Sequence, residues 1–129
     1  MQVNTIFRIY YLGTPLFMLI DYLLGFPMRA AGIEEPGLRL LYYLFCIACA
    51  VACYIAPTRS ALLALTESSI NIFLLIYSVM GPVVNLGSMV ASSEPMPEII
   101  TPAGLINFFI VGTILVFGFH SATHSLAYP

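Results

Sequence analysis

Residues 38–80 read LRLLYYLFCIACAVACYIA, then PTRS, then ALLALTESSINIFLLIYSVM, and this stretch decides the fold. A helix needs roughly 20 mostly apolar residues to cross about 30 Å of hydrocarbon, and each flank of Pro57–Thr58–Arg59–Ser60 supplies about that number. A four-residue turn between two such runs makes them antiparallel neighbours. Two further runs of the same kind stand outside the pair. The expected spans are 6–24, 38–56, 61–80 with continuation to 90 left open, and 103–120.

Composition agrees. Of 129 residues, 60% are hydrophobic and only 8% charged, where a soluble domain carries about 25% charged residues. The ten charges (Arg8, Asp21, Arg29, Glu34, Glu35, Arg39, Arg59, Glu67, Glu94 and Glu98) are too few to clothe the surface of a soluble domain this size. The expected fold class is an all-α integral membrane protein, four transmembrane helices in an up-down bundle with short loops, forming a single domain. Lipid is then its first partner, with self-association or a larger membrane complex as the second. A net charge of -2 without any lysine leaves no basic footprint for nucleic acid.

The boundaries carry recognisable punctuation. Tyrosines 10, 11, 22, 42, 43 and 54 bracket the first two spans as interfacial anchors would. Gly25 to Gly37, with Pro27, Gly32 and Pro36, reads as an irregular crossing. Ala91 to Pro102 is polar and proline-rich, and Thr101 followed by Pro102 reads as an N-cap and first helical position. Arg8 before an apolar run has the look of a signal peptide, but Asp21 interrupts the run and no small-x-small site follows, so a retained span is expected. Arg8 and Arg59 on one side balance Arg29 and Arg39 on the other. Orientation stays open, with loop acids on the second side favouring termini together in the cytoplasm. A tie is also what a dual-topology dimer would show.

Glu67, Asn71, Ser78, Gly81, Asn85 and Ser88 fall within about 60° of one line on the third helix at ~100° per residue. The opposite face, with Leu65, Ile72, Ile76, Val79 and Val83, is apolar and expected against lipid. A polar stripe inside hydrocarbon needs partners or water. It is either glue between helices or the lining of an ion or proton path. Gly81 and Pro82 are expected to kink the helix. Matched depth in an antiparallel order brings Arg8 to Glu67 as an intramembrane ion pair, and Asp21 within reach of Arg29 or Arg39 as an interfacial pair.

Cys46, Cys49 and Cys53 share one helical face with Ala50, which suits close packing of small residues. His120 and His124, four residues apart, have the spacing of a bidentate metal site, which Cys53 would complete at similar depth. Two histidines on one helix face cannot ligate a haem from opposite sides. No metal or cofactor is therefore expected. No nucleophile with a positioned base, phosphate loop or dinucleotide motif is present, so catalysis is not expected.

Length and four-helix layout are similar to small multidrug-resistance exporters and to small fluoride channels, which work as dual-topology dimers. The similarity ends at layout. Those exporters use a carboxylate midway along the first helix, whereas Asp21 lies near the end of its helix and the chain has no Trp. The broken, glycine-rich third helix of the fluoride channels has no counterpart here. The expected function is interaction, as an accessory subunit or homo-oligomer, and the alternative is a minimal channel or proton-coupled transporter using Glu67 and the stripe through Asn85.

Overall fold

A computed structural model describes residues 3–92, 95 and 98–127. Among them every regular element is helical: α1 (Val3–Leu12), α2 (Thr14–Leu24), α3 (Pro36–Ile55), a 3-10 turn (Pro57–Arg59), α4 (Ser60–Ser92) and α5 (Pro102–Ala127). Four helical stretches are long and apolar enough to cross a membrane: Thr5–Leu24, Pro36–Ile55, Pro57–Ser88 and Pro102–His124. Three match the expected spans closely, and the third takes the longer of the two extents left open. Glu94 lies outside the described residues.

Local chemistry explains the breaks. Pro15 is the second residue of α2, two after Gly13, where the N–H it lacks would have no partner within the helix, and Gly13 N–H to Ile9 O (3.0 Å) with Phe17 N–H to Gly13 O (3.0 Å) carries α1 into α2. Gly25 ends α2 at φ 63°, a left-handed conformation glycine adopts without steric cost, and its N–H donates to Asp21 O at 2.9 Å. The expected N-cap of the last helix is present, with Thr101 Oγ1 accepting from Gly104 N–H at 3.0 Å. Pro82 lies inside α4 without ending it.

α4 and α5 make the most extensive helix pair, running in opposite directions. A Cβ at Gly118 would lie 3.2 Å from Leu65 N, and one at Gly104 would lie 3.7 Å from Leu75 Cδ1. Residues 104–118 of α5 thus lie against α4 from about Leu75 back to Ala61. Leu65, expected against lipid, has its main chain under α5 instead, because Gly118 permits that approach. At ~1.5 Å per residue the 33 residues of α4 span about 50 Å. Its last four turns consequently outrun α5, and Met80, Val84 and Val90 are exposed.

The Gly25–Glu35 connection is the main departure from expectation. Rather than crossing outside the helices, it folds back among them, burying Arg29 and Ala30. At Gly32 the loop lies so close to α4 that a Cβ there would sit 2.7 Å from both Leu74 C and Leu75 N. Only glycine permits this approach.

Candidate functional site

The site is built from one face of each helix. Glu67 and Asn71 are one turn apart on α4, Tyr42 and Cys46 one turn apart on α3, and Tyr10 and Tyr11 come from α1. Glu67 is 0% exposed. The Tyr42 hydroxyl donates to its Oε1, and the Tyr10 and Tyr11 hydroxyls lie 3.2 Å and 3.5 Å from its Oε2. The Cys46 thiol lies 3.7 Å from Oε1. The carboxylate is therefore ringed by weakly acidic donors from two helices, the arrangement a buried anion requires in place of water.

The countercharge is Arg29, not Arg8. Arg29 is 1% exposed and its Nη2 lies 3.8 Å from Glu67 Oε1. Nη1 donates to Tyr10 O at 3.3 Å and to Thr14 Oγ1, while the guanidinium carbon stands 3.9 Å from the Tyr10 ring centroid. Nε and Nη2 make no hydrogen bond, so ring stacking and the ion pair offset their burial. Arg8 stacks over the Tyr54 ring at 5.2 Å. Matched depth failed as a guide because it presumed that the loop bearing Arg29 stays at the bundle end.

Asn71 ties this loop to the remaining helices. Its Nδ2 donates to Arg29 O at 2.8 Å and to the Tyr42 hydroxyl. The Asn107 amide on α5 meets Asn71 at 2.8 Å, with the carbonyls of Met28 and Arg29 at its other end; turned one way it serves Asn71, turned the other it serves the loop. One buried network thereby joins α1, α3, α4, α5 and the loop.

A second pair closes the loop's far end. Arg39 Nη1 meets Asp21 Oδ1 at 3.0 Å, as expected for one of the two candidate partners, and the Tyr43 hydroxyl donates to Asp21 Oδ2 at 2.8 Å. Arg39 also donates to Ile33 O, from Nη2 at 3.0 Å and Nε at 3.2 Å.

The polar stripe of α4 divides. Glu67 and Asn71 are in the core, Ser78 is half-buried, and Asn85 and Ser88 are exposed. Ser78 and Ser88 hydroxyls donate back to Leu75 O and Asn85 O, each at 2.8 Å. Tyr10, Tyr11, Tyr42 and Tyr43, expected as interfacial anchors, are buried, while Tyr22 and Tyr54 are exposed. The signal for Tyr42 was its helical phase, within about 40° of Cys46, Cys49 and Cys53 at ~100° per residue.

Those three cysteines are buried in the core as their shared face implied. His120 and His124 are exposed on one face of α5, ring centroids 6.3 Å apart. Among the described residues no group of three or more His, Cys, Asp or Glu is placed to hold a metal ion. The chain matches no protein-family model, no curated protein and no solved structure.

Proposed function

We propose that this chain is an up-down four-helix integral membrane protein that acts by association within the bilayer, through homo-oligomers or as an accessory subunit of a larger membrane complex, and not by catalysis. The overhang of α4 carries this reading. From Ser68 to Ser92 the helix has no charged residue, and beyond Leu75 its own chain covers it less and less, leaving Met80, Val83, Val84 and Val90 exposed. Ser78, Gly81, Asn85, Ser88 and Ser92 recur there at alternating spacings of three and four, which keeps them on one seam of a helix pair. A Cβ on Gly81 or Gly87 would meet nothing within 4 Å, so a neighbouring backbone has room to approach. The exposed Asn85 amide is donor and acceptor at once, and so complements a second copy of itself.

The expected result is an oligomer in mild detergent and in nanodiscs, with Asn85→Glu shifting it to monomer by at least about tenfold in dissociation constant, since two like charges would oppose each other at the seam. A monomeric wild-type protein that also captures no membrane partner contradicts the proposal.

A second reading draws on Glu67 itself. Three phenols and a thiol around one carboxylate are exchangeable proton carriers, as a proton-coupled transporter would use. In that case a correctly assembled Glu67→Gln protein loses proton flux in liposomes. Equal flux in wild type and variant removes this alternative.

A further inference from the structure

Between α4, the start of α5 and the loop preceding α3 runs an open groove of about 340 Å³, within the size range of small-molecule sites. Its walls are apolar, chiefly Leu75, Ile76 and Val79 of α4 and Phe108 of α5, and Glu34 and Glu98 stand among them. The hydroxyls in the groove are already engaged: Ser78 donates to Leu75 O, and Thr101 accepts from Gly104 N–H. The two carboxylates are not. Neither Glu34 nor Glu98 has an ion pair or hydrogen bond among the described residues, and no lining residue is cationic. Nor is a nearby arginine available to compensate them. Arg29 is sealed against Glu67, and Arg39 is held by Asp21 and Ile33 O.

An apolar trough bearing two uncompensated carboxylates and no cation complements one kind of ligand. An anionic amphiphile is repelled, and the phosphate of a zwitterionic lipid finds no partner. We propose that the groove binds a cationic amphiphile, with its alkyl chain along Leu75, Ile76, Val79 and Phe108 and its ammonium group at Glu34 and Glu98. This site is separate from the Glu67 network and borders the α4 seam only at Ser78, whose hydroxyl is engaged by Leu75 O, so its test reads ligand binding and not association.

The test is equilibrium dialysis of radiolabelled dodecyltrimethylammonium against the full-length protein in a nonionic detergent, with dodecyl sulfate and dodecanol as comparators. Saturable binding of the cation by wild type is expected, weakened at least about tenfold in Glu34→Gln/Glu98→Gln, with neither comparator competing at equal concentration. Both glutamates are exposed and outside the core, so the double variant retains the fold, checked by circular dichroism and monodispersity. Val79→Arg, which places a cation in the trough, is expected to abolish binding. Absence of saturable binding by wild type, unchanged affinity in the double variant, or equal competition by dodecanol, which signals apolar partition only, each overturns the proposal.

Discussion

Arg29→Ala lowers the stability of the folded protein by about 3–5 kcal/mol, the expected cost of removing one partner from a buried ion pair. Three effects converge there. Glu67 is left without its countercharge at 0% exposure; Thr14 and the Tyr10 carbonyl lose their donor; and the folded-back loop loses its anchor among the helices. Glu67→Ala should cost a comparable amount, since it strands Arg29 and leaves three tyrosine hydroxyls without their acceptor. Arg29→Met combined with Glu67→Gln should recover part of the loss, because replacing both charges removes the unpaired one that each single change leaves behind. Arg8→Gln is the informative control. It removes only a ring stack over the exposed Tyr54, for about 0.5–1 kcal/mol. Thermal unfolding of wild type and the four variants in one detergent provides the measurement. Equal midpoint shifts for Arg8→Gln and Arg29→Ala would return the ion pair to Arg8.

Gly32→Ala should release the loop. The added Cβ would sit 2.7 Å from Leu74 C and Leu75 N and 2.9 Å from Leu74 O, all main-chain atoms of α4 that no rotamer change can move aside. Overpacking of this kind costs about 1–3 kcal/mol, equivalent to roughly 5- to 150-fold faster opening. Hydrogen exchange at residues 26–35 reads that opening directly. Gly37→Ala tests the specificity of the effect, because its Cβ would meet only Glu35 Oε1, at 3.7 Å, inside the first turn of α3. There alanine should be neutral or stabilising by up to about 1 kcal/mol. Wild-type protection in Gly32→Ala would contradict the close loop–helix packing.

The helices were legible in the sequence because run length and proline or glycine punctuation are local properties. Pro36, Pro57, Thr101 and Pro102 mark ends that the structure shares to within two residues. Burial of Glu67 and Asn71 was legible too, since a carboxylate and an amide one turn apart on an apolar helix have to find partners. Which partners they find was not. The pairing with Arg29 depends on a loop reversing direction, and the cause of that reversal is the absence of a side chain at Gly32 and the bonds from Arg39 to Asp21 and Ile33 O. Each is a tertiary contact without periodicity. The tyrosines misled for a related reason: an amphipathic ring suits a membrane interface and a buried carboxylate equally well, and only the positions of Glu67 and Asp21 distinguish the two. The length of α4 was left open at Gly81–Pro82, read as a kink; the helix continues to Ser92 because the missing N–H and ring crowding of Pro82 affect only the turn before it.

The folded-back loop also bears on how the chain is made. Asn71, which holds the Arg29 carbonyl, follows Arg29 by 42 residues. At synthesis rates of ~5–20 residues per second, the ribosome delivers it about 2–8 s after the arginine. During that interval the guanidinium has the Tyr10 carbonyl and the Thr14 hydroxyl as acceptors on the first two helices but no countercharge, so the hairpin they form is unfinished. The third helix then arrives as a keystone and draws the loop inward. Folding of this protein during synthesis is accordingly timed by α4, and slowing translation between Arg29 and Glu67 lengthens the stage at which the arginine lacks its countercharge.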